Sequence, residues 1–67
     1  MFELNYKAIR RIMVEKGLTI SDLSLSAPLT QTTVARLTRD GARANARTTG
    51  KLAAALGVDP KEIILED

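Results

Sequence analysis

Between Leu23 and Lys51 the chain sets Arg36, Arg39, Arg43, Arg47 and Lys51 against one acid, Asp40, a net of +4 for that segment. Guanidinium and ammonium groups at this density attract polyanions and donate hydrogen bonds to them, so the segment suits nucleic acid. The flanks differ: residues 1–22 carry a net of +1 and residues 52–67 a net of −3. A basic middle and an acidic end polarise the field of the molecule. Covalent and metal chemistry have little to work with. The absence of histidine and cysteine removes the usual metal ligands, the commonest general base and any disulfide framework. Serines and threonines read as helix caps, with no base to activate them. Catalysis is therefore not expected, nor is a cofactor or a metal.

The elements that must position the basic groups are legible from their starts. A helix start reads as an apolar residue, a capping Ser, Thr, Asp or Asn, and an apolar residue at the fourth helical position that closes a hydrophobic staple. Leu4-Asn5 with Ile9 fits this pattern, as do Leu18-Thr19 with Leu23 and Leu29-Thr30 with Val34. Asp22 adds a capping box to the second of these. Val58-Asp59 with Ile63 fits as well, with Pro60 at the first helical position and Glu62 at the third.

The stops agree with the starts. A first helix is expected from Tyr6 to Lys16, burying Tyr6, Ile9, Ile12 and Met13 and closing on Gly17. A second runs from Ile20 to about Ser26, since Pro28 biases Ala27 toward extended geometry. A third runs from Gln31 to about Arg39 with Val34 and Leu37 inward. A fourth ends at Leu56 before Gly57, capped by Asn45 or by Thr48, with Leu52, Ala55 and Leu56 inward. A fifth, short helix spans Pro60 to about Leu65. No segment alternates long enough to be a strand. The expected architecture is all-α, a five-helix globule forming one domain over residues 1–67. A chain of 67 residues has a thin core, since about 60% of the unfolded surface is buried at that size. No apolar run approaches the roughly 18 residues of a membrane span, and the N-terminus is no signal peptide. A cytoplasmic, nucleoid-associated protein is expected.

Two short helices, Ile20–Ser26 and Gln31–Arg39, joined by a brief turn, have the helix-turn-helix layout, in which the second helix enters the major groove. Gly17-Leu18-Thr19, Leu23, Leu29-Thr30-Gln31, Val34, Leu37, Leu52-Ala53 and Ala55-Leu56-Gly57-Val58 carry a family resemblance. From about Asn5 to Leu65 the chain resembles the Cro and phage-repressor (XRE) family, and is similar to its single-domain, Cro-like members. The resemblance implies a five-helix lambda-repressor-like domain that binds an operator in double-stranded DNA, usually as a dimer, and regulates transcription, here as a repressor. The chain departs from the family pattern at four places. Pro28 stands where a turn glycine is usual, Ile20 where a phosphate-binding glutamine is frequent, and Ser24 where alanine is usual. Met13 and Thr38 stand where an Arg and a Glu often form a buried pair, so an apolar contact is expected there instead.

By position, the resemblance implies Gln31, Thr32, Thr33 and Arg36 as base readers. Glutamine matches adenine, arginine matches guanine, and a threonine methyl meets the thymine methyl. Arg39, Arg43, Asn45, Arg47 and Thr48 are the candidate phosphate contacts, being basic groups or residues at a helix N-terminus. Of the adjacent Arg10 and Arg11, at most one faces DNA. Ile64 and Leu65 supply apolar surface beyond what the core needs and are candidates for a homodimer contact, weak in solution and strengthened on DNA. The rival reading is a protein-interaction module on the same fold, an antirepressor or antitoxin-like partner binder. Ile20 and Pro28 favour it; the basic middle opposes it.

Overall fold

Each helix begins at the cap its sequence supplies. In the computed structural model, which describes residues 1–27 and 29–65, helix α1 spans Tyr6–Lys16. The Asn5 side-chain oxygen accepts from the Ala8 N–H at 3.2 Å. Gly17, at φ 65°, closes α1 in the left-handed conformation that glycine adopts without penalty, and its N–H returns to the Met13 and Val14 carbonyls. Helix α2 spans Ile20–Ser26 behind a reciprocal capping box. Thr19 N–H donates to the Asp22 carboxylate at 2.9 Å and Asp22 N–H to the Thr19 hydroxyl at 3.1 Å. Helix α3 spans Gln31–Leu37 behind Thr30. Helix α4 spans Ala46–Leu56, and Asn45 rather than Thr48 caps it, its oxygen accepting from Thr48 N–H at 2.8 Å. Pro28, expected to end α2 and to alter its angle to α3, lies outside the described residues.

Helix α3 is shorter than the sequence suggests, ending at Leu37 instead of Arg39. Thr38 turns its hydroxyl back onto the Ala35 carbonyl at 3.0 Å, a local bond that competes with helix continuation. Ala42 N–H then closes a turn on the Arg39 carbonyl, across Gly41 at φ 82°.

The fifth helix is not formed, so the α-helices number four among the described residues. Asp59, Pro60 and Glu62 do start a helical turn with the expected capping box, but it is a 3-10 turn confined to Pro60–Glu62. Beyond it the chain straightens. Ile64 bridges to Leu4, Leu65 N–H donates to the Glu3 carbonyl at 2.8 Å, and Asn5 N–H donates to the Ile63 carbonyl at 2.8 Å. On the other side of the N-terminal segment, strand β1 (Phe2–Glu3) pairs antiparallel with β2 (Arg43–Ala44), Phe2 opposite Ala44 and Glu3 opposite Arg43. The N-terminal backbone needs hydrogen-bond partners once Leu4 is buried, and the β-branched pair Ile63-Ile64 serves better extended than wound into one costly further turn. Two-residue strands are too short to show a period-two pattern, so no sequence signal announced them.

The core joins all of these elements. Leu4, Ile9, Leu23, Val34, Leu52, Leu56 and Ile63 are fully buried. Tyr6, Met13 and Ala55, expected inward, are half-buried, whereas Ala8 and Ala53 are buried. Ile20 packs against this core, which explains an apolar residue at the start of α2. Lys16 donates to the Leu56 carbonyl at 2.7 Å and to the Gly57 carbonyl at 3.3 Å, tying the C-terminal ends of α1 and α4 together.

Candidate nucleic-acid interface

Burial of Val34 and Leu37 fixes which face of α3 turns outward. Gln31, Thr32 and Arg36 are exposed, while Thr33 and Ala35 are half-buried at the edges of that face. The first turn is held from both sides. Thr30 caps the Thr33 N–H at 3.1 Å, and its hydroxyl donates to the Thr33 hydroxyl at 2.8 Å. Gln31 donates through Nε2 to the Ser21 Oγ of α2 at 2.9 Å. Gln31 and Thr33 are thus the members of the outward set that side-chain hydrogen bonds tether.

Helix α3 is also fixed at its far end. Arg10 Nε donates to the Thr38 carbonyl at 3.0 Å, and its guanidinium lies over the Tyr6 ring, 5.6 Å from the centroid. A cation at the C-terminal end of a helix satisfies an otherwise free carbonyl and opposes the helix dipole. Met13 packs against the core and Thr38 is 5% exposed, while the Arg10 bond to the Thr38 carbonyl ties α1 to the end of α3. Both adjacent arginines are exposed, but the Arg10 guanidinium is engaged by the Thr38 carbonyl and the Tyr6 ring. The Tyr6–Arg10 spacing of one helical turn was the available sequence signal.

The candidate phosphate contacts follow α3 in sequence. Arg39 is exposed in the turn, Arg43 is exposed on β2, and Arg47 is exposed in the first turn of α4. Asn45 is exposed with its oxygen committed to the cap, which leaves its amide N–H groups to donate outward. Thr48 is half-buried beside it. Asp22, near the α2 end of this surface, has its carboxyl held below the ordinary value of 3.8 by the hydrogen bonds from the Thr19 backbone and then side chain.

Ile64 and Leu65 are not on a helix. Ile64 is half-buried and, with Phe2, Ala46, Thr49 and Pro60, lines an open apolar groove of about 260 Å³. Leu65 is 47% exposed and lies by Met1, Phe2, Glu3 and Arg43. Phe2 belongs to both surroundings and was not singled out from sequence, because nothing in a lone N-terminal aromatic reveals which strand it will pair with. Among the described residues no helix is long and apolar enough to cross a membrane, and no cluster of acidic, histidine or cysteine side chains is placed to hold a metal.

The model of the family described as Cro/C1-type HTH DNA-binding domain matches residues 8–65. Among solved structures, the restriction-modification controller protein C.AhdI from Aeromonas hydrophila is similar, with a TM-score of 0.76 and 26% identity over 85% of this chain and 86% of that one. No curated protein matches the sequence. With two short capped helices, an outward face of amide, hydroxyl and guanidinium groups, and a family match over most of its length, the chain belongs to the Cro/C1-type helix-turn-helix DNA-binding domains.

Proposed function

We propose that the protein is a sequence-specific transcriptional regulator that inserts α3 into the major groove of an operator. Gln31, Thr32, Thr33 and Arg36 read base edges, while Arg39, Arg43, Asn45, Arg47 and Thr48 hold the phosphates on either side. The observation that carries this reading is the outward face of α3: Gln31, Thr32 and Arg36 are exposed, with Thr33 half-buried at the edge, while Val34 and Leu37 anchor the helix from behind. Regulation of transcription is supported by the likeness to a protein named as a controller. Repression is the simplest mode, because an occupied promoter excludes polymerase without any further contact.

A homodimer accounts for selectivity. One recognition helix covers a few base pairs, and two copies related by a two-fold axis read inverted half-sites about 34–36 Å apart. Leu65, Ile64 and the neighbouring Phe2 provide the apolar contact. It is weak in solution and reinforced when both copies sit on adjacent half-sites. Selection of bound fragments from genomic DNA by the purified protein tests both parts. The expected result is an enriched motif with inverted symmetry; absence of duplex binding at moderate salt would leave the fold as a protein-docking module.

A further inference from the structure

Ser21 occupies the second position of α2, is exposed, and has one side-chain contact of consequence: its Oγ accepts from Gln31 Nε2 at 2.9 Å. The bond joins the two helices at their N-terminal ends, ten positions apart in sequence. It is not needed for stability in any obvious way, since both residues are exposed and water could replace either partner. Its value lies in what it does to the Gln31 amide.

A glutamine that reads adenine uses its oxygen and the N–H on the same side of the amide, accepting from N6 and donating to N7. The second N–H, pointing away from the oxygen, has no role in that pair. It is this leftover donor that Ser21 can take while the reading edge stays free. A free glutamine must surrender its rotamer freedom on binding, whereas a tethered one has already done so. The amide order is fixed as well once the serine proton is given to another acceptor, because the hydroxyl can then only accept. A phosphate oxygen beside the start of α2 would be such an acceptor.

Resting on the reading of α3 as the recognition helix, we infer that Ser21 is a positioning residue for Gln31. It makes the reading of one adenine depend on a residue that does not touch the base. Neighbouring Thr19 and Asp22 support the arrangement, since their reciprocal cap fixes the first turn of α2 and with it the Ser21 Cα–Cβ direction.

The experiment uses a duplex selected from a random pool by the full chain, and the same duplex with each base pair replaced in turn. Ser21→Ala should bind the selected duplex about three- to tenfold more weakly. It should lose discrimination at the one base pair where Gln31→Ala also loses it, and keep discrimination at all others. Ser21→Thr, which retains a hydroxyl, should restore both. In a Gln31→Ala background, Ser21→Ala should have no further effect, the mark of a role exerted through the amide. Alanine is a better helix former than serine and position 21 is exposed, so helical content should be unchanged. If Ser21→Ala keeps full discrimination while Gln31→Ala loses it, the inference fails and α3 remains the reader. If Ser21→Ala weakens binding equally in both backgrounds, Ser21 acts on DNA directly and the inference fails again. If Gln31→Ala alters discrimination at no base pair, the assignment of Gln31 as a reader falls, and the inference with it.

Discussion

At the scale of single residues, the outward side chains of the basic middle divide by what already holds them. Arg36 is exposed on α3 and Arg47 on α4, and the two should fail in different ways when truncated. Arg36→Ala is expected to cost about 1–3 kcal/mol on the best site and to relax preference at one base pair. Arg47→Ala should weaken binding to all duplexes alike and flatten the salt dependence by roughly one unit of slope. Titration of binding against salt on selected and scrambled duplexes separates the two, and an unchanged motif for Arg36→Ala would sink the placement of α3. Asp22 makes a prediction about acid. Its carboxyl is lowered in the folded state by the Thr19 bonds, so the ionised form supports folding above the unfolded pKa and that support disappears as pH falls through the folded value. Asp22→Asn should therefore be less stable than the parent near neutrality and equal to it in strong acid. A constant gap between the two melting curves across pH would show that the capping box does not depend on charge.

At the scale of elements, capping determined where helices begin, and backbone conformation determined where they end. Thr19→Ala removes one side of the α2 cap and should cost about 0.5–2 kcal/mol. The two glycines of α4 make an internal contrast. Gly50 lies within α4 with no atom within 4 Å of where a Cβ would stand, so Gly50→Ala should stabilise by about 0.5–1 kcal/mol through helix propensity. Gly57 ends α4 at φ 73°, and a Cβ there would approach Lys16 Nζ to 2.8 Å. Gly57→Ala should thus destabilise by about 1–2 kcal/mol from the left-handed backbone alone, with Lys16 displaced from the Leu56 carbonyl. Thermal melts of both variants check the sign at each position; stabilisation by Gly57→Ala would contradict the termination of α4 described here.

At the scale of the whole molecule, the segment Ile63–Leu65 closes the structure, and in the proposed homodimer it supplies the surface for a second copy. Ile63 is fully buried, Ile64 packs half-buried against Leu4 and the groove, and Leu65 is 47% exposed. Leu65→Glu is accordingly the cleaner probe of assembly. It should abolish cooperative binding to a two-half-site operator, about 10 base pairs centre to centre, and leave the melting curve nearly unchanged. Ile64→Glu should impair both binding and stability. A Leu65→Glu variant that binds cooperatively would remove this edge from the dimer contact.

The sequence by itself determined most helix starts, because each depends on a capping side chain within a few residues of the N–H it satisfies: Asn5, Thr19, Thr30 and Asp59 act as caps as expected, while the structure decided for Asn45 over Thr48 at α4. It also determined the buried apolar ladder of Ile9, Leu23, Val34, Leu52 and Leu56, which helical periodicity makes visible without any knowledge of neighbours. Family resemblance then pointed to Gln31, Thr32, Thr33 and Arg36 on the outer face of α3. Tertiary structure alone decided the rest, since it depends on residues far apart in the chain. Ile63–Leu65 straightens because Glu3 and Asn5 lie alongside and need partners. Arg10 is tied to the end of α3 because the Thr38 carbonyl lies within bonding distance of its Nε. Gln31 is tethered because α2 presents a hydroxyl at bonding distance. Each of these is a hydrogen bond between segments, and no local spacing encodes which segments will meet.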